Sequence, residues 1–247
     1  DDASGLAIAD KLRTQVTSIN QGISNGNSAI ALLQITDKSM AEQSKILDTI
    51  KSKLIQANTD TTSTAGRTAI AKDVTKLLQQ LNNIGEQTNY NGTTLLQKAR
   101  TTADASKEGN LTAARTAKGG LSFQIGEGTA DLITTRTINS NVAGLKLSAL
   151  AKAVRSGAKV SAGATAATTG VFTRTMAQSG QKAIDKAITT LNGYRGDIGS
   201  TQNQVESAVR NLMTQSTNIK AAESVIRDVD YAEESANFNK LNIISQA

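Results

Sequence analysis

Four carboxylates crowd one short stretch, Asp228, Asp230, Glu233 and Glu234, and carboxylates at that density are raw material for a calcium loop or an acid–base pair. The stretch has neither the glycine turn nor the ligand ladder that a calcium loop needs, so it reads as the solvated face of a helix. Gly193, Gly196 and Gly199 have the composition of a phosphate loop. They lie inside a helical repeat with no strand pattern before them, which points to close helix packing instead. Asn91-Gly92-Thr93 and Asn110-Leu111-Thr112 fit the N-glycosylation pattern, a short pattern that arises readily by chance, and the first reads better as an Asn-Gly turn.

What is missing narrows the chemistry further. The 247 residues include no His, no Cys and no Trp, which removes imidazole bases, thiolate nucleophiles and the usual zinc ligands. No catalytic residue, metal site or cofactor is expected. The 27 basic and 21 acidic side chains leave a net charge of +6 that reads as dispersed rather than clustered. With only three Tyr and three Phe there are no platforms for base stacking, which argues against nucleic acid. No run of about 18 apolar residues is present, so no membrane-spanning segment is expected.

The elements that would carry function are therefore helices. Zero Pro permits long ones. Every seventh residue from Leu12 gives Leu12, Ile19, Gly26, Leu33, Met40, Leu47 and Leu54, a single apolar stripe with one glycine. Val16, Ile23 and Ile30 widen it early, and Ile46 and Ile50 take over late. A second seam is cleaner: Ile184, Leu191, Ile198, Val205, Leu212, Ile219 and Ile226. Neither helix can bury its stripe alone, so the two are expected to pack side by side and antiparallel. Asp37, Lys51, Arg195, Gln202 and Glu223 interrupt the pattern and point to other faces meeting neighbouring molecules.

Between the seams, Thr59 to Thr64 forms a turn, and Ile70, Val74, Leu77, Leu81 and Ile84 predict a further helix ending near Gly85. Thr88 to Gly92 supplies an Asn-Gly turn that opens a hairpin. Strands are predicted at Leu121 to Ile125, Leu132 to Ile138 and Val142 to Leu147, and an exposed loop of small residues at Ser156 to Gly170. The fold class is mainly α: an elongated antiparallel helical bundle, a coiled-coil-like rod, with a small β-hairpin region in the middle. Three segments follow: 1–100, N-terminal helices and first hairpin; 101–172, a short variable β/loop region; 173–247, the long C-terminal helix.

The opening Asp-Asp-Ala-Ser-Gly-Leu-Ala-Ile-Ala-Asp, Asp1 to Asp10, resembles the N-terminal signature of bacterial flagellins. Ala221 to Ala232 with Glu234-Ser235-Ala236-Asn237 resembles the C-terminal signature. Thr88 to Gly92 and Gly199 to Gln204 are two more family-like positions. The resemblance covers roughly 1–100, 121–147 and 177–247, in wording nearest to flagellins of the Campylobacter and Helicobacter group.

The resemblance implies a structural subunit exported through the flagellar type III apparatus, which self-assembles outside the cell into the filament used for swimming. The partners it implies are other flagellin subunits, an export chaperone and the filament cap protein. It also implies that both terminal segments of the family are absent, and hence a soluble piece that does not polymerise alone. The family's metallopeptidase insert needs His and is excluded. Flagellins read by their Toll-like receptor present Arg, Leu and Glu where this chain has Thr49, Lys53 and Gln80, so weak or absent receptor contact is expected. Thr165, Thr168 and Thr169 are O-glycosylation candidates by the same analogy, an unmodified flexible loop being the other reading. Two rival assignments stay open here: a hook–filament junction protein, and a secreted adhesin-like module using the Ser156 to Gly170 loop.

Overall fold

A computed structural model describes residues 2–99 and 111–246; Asn110 and the start of the 101–172 segment lie outside them. The element order is α1 (Asp2–Ala57), α2 (Thr64–Gln87), β1 (Asn89–Tyr90), β2 (Thr93–Thr94), β3 (Ser122–Gln124), β4 (Leu132–Thr134), α3 (Ser148–Ala158) and α4 (Arg174–Gln246). The protein is mainly α, with two long helices and two small antiparallel strand pairs. No described helix is long and apolar enough to cross a membrane. The chain divides into two compact units, one of residues 1–31, 122–134 and 201–247, the other of residues 32–121 and 135–200.

In the second unit, α1 and α4 run antiparallel. Asp37 pairs with Arg195 at 3.0 Å, Lys51 with Asp185 at 2.7 Å, and the Arg174 guanidinium donates to the Asn58 carbonyl at 3.0 Å. The polar interruptions Asp37, Lys51 and Arg195 thus find ion-pair partners within the chain. Each sits at the edge of the stripe, where a charged head stays partly wet while its stem covers the core. Gln202 and Glu223, in the first unit, also have partners one turn on: Gln202 bonds Glu206, and Glu223 accepts from Arg227. The core beneath is aliphatic: Leu33, Met40, Leu47, Leu54, Ile184 and Leu191 are fully buried.

The α1–α2 connection is fixed by side chains that take up exposed backbone groups. Ser63 caps α2, its hydroxyl accepting from the Gly66 amide at 3.0 Å, as expected for an N-cap serine. Arg67 reaches back and donates to the Ala57 and Thr59 carbonyls at 2.8 and 2.9 Å. On α2 the buried face is Ile70, Ala71, Val74, Leu78, Leu81, Asn82 and Gly85. Leu78 is fully buried and Leu77 only half-buried, and the helix ends at Gln87, two residues past Gly85. Asn91 and Gly92 take φ of 50° and 82° and join β1 to β2, paired Asn89 to Thr94 and Tyr90 to Thr93. A two-residue hairpin turn needs those left-handed conformations.

Two expectations fail in the middle. Val142 to Leu147 is a tight turn, not a strand: Leu145 and Leu147 amides bond back to the Asn141 and Val142 carbonyls. Leu145, Lys146 and Leu147 alternate in polarity, but local hydrogen bonds close before a partner strand can be met. The predicted loop begins inside a helix, since Ser156 to Ala158 complete α3. That helix buries Leu150, Ala151, Val154 and Gly157, a helical spacing, against α2, where Gly157 approaches Ala71. The predicted strand at Leu132 to Ile138 shrinks to β4 plus a single bridge from Ile138 to Lys118.

In the first unit, α1 and α4 again run antiparallel, with Gly26 against Val209 and Asn20 near Ser216. A Cβ on Gly26 would stand 2.3 Å from Val209 Cγ2, which explains a glycine inside the apolar stripe. The β3–β4 hairpin, in register Phe123 to Ile133, lies on α1. The Ile125 carbonyl oxygen occupies the place a Cβ on Gly22 would need, at 2.2 Å, and Asn25 Nδ2 donates to the Gln124 carbonyl at 2.8 Å.

Candidate interaction surfaces

The seam residues sort by depth. Ile19, Leu33, Met40, Leu47, Leu54, Ile184, Leu191, Ile198, Val205 and Leu212 are buried, and Leu12, Ile219 and Ile226 are half-buried. Beyond Glu223 the covering ends. Val225, Val229, Tyr231, Phe238, Leu241 and Ile243 on α4 are 59–74% exposed, and Leu6 and Ile8 on α1 are exposed as well. In a helix these positions spread around more than half the circumference, so no one intramolecular neighbour could cover them. Asp228, Glu233 and Glu234 share that exposed stretch.

Gly193, Gly196 and Gly199 do not mark close helix packing. A Cβ added at any of them meets nothing within 4 Å. All three are exposed, and a solvent-facing glycine in a helix interior lowers its stability relative to alanine.

The fold brings Thr49, Lys53 and Gln80 together. They line a shallow cleft of about 370 Å³ between α1 and α2, with Asp73, Lys76 and Leu77. Lys53 Nζ lies 3.3 Å from Asp73 Oδ2, so the two helices are bridged across the cleft at one of the three positions. Thr165, Thr168 and Thr169 are all exposed in the turns after α3.

A polar latch that sequence reasoning did not register holds the second unit together at the turn before α3. Gln43, fully buried on α1, donates through Nε2 to the carbonyls of Leu81 at 3.2 Å and Ser140 at 2.9 Å, and accepts from the Ser140 hydroxyl. Asn82 accepts from the Val142 amide at 2.8 Å, and Asn141 donates to Gln97 at 2.9 Å. Isolated Gln and Asn look like surface residues in a list of letters; only the closeness of three segments buries them.

Charge is also less evenly spread than chain-wide counts suggest. Residues 132–184 carry seven basic side chains and no acidic one; 27 less 7 leaves 20 basic against 21 acidic elsewhere. The whole excess of positive charge belongs to this stretch, contrary to the reading of dispersed cations.

Comparisons with known proteins agree on the family. The model of the bacterial flagellin N-terminal helical region matches residues 1–101, and that of the C-terminal helical region matches residues 181–247. Flagellin of Bacillus subtilis is 31% identical over all of this chain and 80% of its own length. Flagellin A of Helicobacter felis is 52% identical over 99 residues, 40% of this chain and 19% of that protein, so the match spans about a fifth of that relative. Among solved structures, a chain from Vibrio parahaemolyticus assigned as a flagellar hook-associated protein superposes with a TM-score of 0.68 at 13% identity, covering 87% of this chain and 94% of its own. At that identity the likeness shows the fold alone.

Proposed function

The chain belongs to the bacterial flagellin family, and on that premise we propose that it is a structural subunit of the flagellar filament, working outside the cell and without a catalytic step. The observation that carries this reading is the uncovered apolar stretch of α4. Side chains as large as Tyr231, Phe238 and Leu241, exposed together on one helix, mark a surface that packing against other molecules would cover. Copies of the same subunit are the partner that a filament supplies. An export chaperone and the cap protein are further partners on this reading, with passage through the flagellar type III apparatus before assembly. The junction-protein alternative has fold likeness only, whereas identity to flagellin runs the length of the chain.

Because the chain has no cysteine, one introduced at the exposed Thr169 is a unique chemical handle. Living cells whose filaments take up a thiol-reactive dye only when they express Thr169→Cys would support the proposal. Unlabelled filaments on cells producing the variant at normal levels would overturn it.

The cleft at Thr49, Lys53 and Gln80 supports a second, narrower reading: weak or absent activation of the flagellin Toll-like receptor. The Lys53–Asp73 ion pair supports it: a lysine already paired within the chain stands at the position for which the family resemblance implies an apolar contact. Potent signalling by this protein in reporter cells would end that reading.

A further inference from the structure

The acid-free stretch 132–184 contains α3, and α3 divides cleanly into two faces. At 100° per residue, Leu150, Ala151, Val154 and Gly157, all buried, occupy one side; Lys152 and the C-cap Lys159 fall on the opposite side, with Arg155 at the border between them. Lys152 and Lys159 are exposed and Arg155 is half-buried. Of the seven cations in the stretch, Arg136 pairs with Asp197 and Arg174 with Asp60. Lys146, Lys152, Arg155, Lys159 and Lys182 make no ion pair among the described residues.

Ala71 of α2 faces Gly157 of α3, whereas Lys76 of α2 lines the α1–α2 cleft with Asp73. The two carboxylates of α2 are already engaged, Asp73 with Lys53 and Glu86 with Arg115. Like charges on one helix face repel one another, and without ion-pair partners among the described residues they lower stability unless an anion is bound.

We infer that the outward face of α3 is a binding site for an anionic polysaccharide. The surroundings select that class of polyanion. The one aromatic residue of the stretch, Phe172, is fully buried, which leaves nothing for a nucleic-acid base to stack on. Large apolar side chains that would insert into a lipid surface are absent from the outward face of α3. Instead Ser148 and Ser156 flank the cations, short hydroxyls of the kind that bond to sugar hydroxyls and carboxylates.

The test uses heparin as a defined sulfated polysaccharide, with binding to the protein measured across a salt series. The variant Lys152→Gln/Arg155→Gln/Lys159→Gln should weaken binding by about tenfold and flatten the dependence of log affinity on log salt by about two. A matched control, Lys11→Gln/Lys220→Gln/Lys240→Gln, removes the same charge from exposed positions in the other unit and should change affinity by less than about twofold. Lys152→Arg/Lys159→Arg keeps the charge and should bind like the parent, which separates a binding loss from a folding loss. Equal losses in the two triple variants, no loss in the α3 variant, or equal affinity for duplex DNA of similar charge would each overturn the assignment.

Discussion

Gln43 and Ser140, 97 positions apart in the chain, close a reciprocal pair: the Gln43 amide donates to the Ser140 carbonyl at 2.9 Å, and the Ser140 hydroxyl donates back to the Gln43 carbonyl oxygen. Both residues are fully buried. The pair fastens the turn at 139–144 onto α1, and the same amide also reaches α2 through Leu81. Gln43→Leu keeps the volume but strands the Ser140 groups. It should cost about 2 kcal/mol, the usual range for orphaned buried polar groups, read as a lower urea midpoint with the helical signal of the folded state unchanged.

The glycines of the long helices should respond in opposite directions. Ala at Gly193, Gly196 or Gly199 has open space and should raise stability by about 0.5–1 kcal/mol each. At Gly26 the new methyl would meet Val209, and at Gly180 it would meet Leu150 at 2.8 Å and Leu54 at 3.0 Å, so Ala there should lower the melting temperature. Thermal denaturation of the five single variants checks the sign of each.

Ion pairs should divide by burial. Arg115 donates to Glu86 at 2.8 Å with its side chain 4% exposed, and Arg115→Ala should cost about 3 kcal/mol because it removes a charge-assisted bond from a largely dry site. Lys45→Ala, which removes an exposed pair with Glu42, should change stability by less than about 0.5 kcal/mol. Urea titration of both variants at low and high salt separates the two classes.

The proposed receptor reading of the cleft at Thr49, Lys53 and Gln80 can be tested by gain of function. Thr49→Arg, Lys53→Leu and Gln80→Glu together restore the residue types that recognised flagellins present at these positions, and all three lie on one cleft. The triple variant should signal in reporter cells at least about tenfold more potently than the parent, since charged and apolar anchors of this kind dominate an interface. Equal potency would show that recognition fails for some other reason.

The sequence alone determined the long helices and their seams, because a seven-residue apolar period and the absence of proline leave the backbone little alternative; the family was legible separately, in the terminal motifs that resemble those of flagellins. Ile184, Leu191 and Ile198 could be assigned to a core from spacing, since burial on a helix follows from position along it. It did not determine what the interrupting residues do. Asp37 and Arg195 look like outward charges until two helices are placed antiparallel, and then they are each other's partner. The three open glycines, the buried Gln43 and the cationic face of α3 share that logic. Each depends on which segments distant in the chain lie against it, and in the middle of the chain, where short runs close on themselves through local hydrogen bonds, periodicity carries too few turns to decide. The tertiary structure supplied the neighbours, and neighbours decide whether a polar side chain is a latch, an ion pair or a surface.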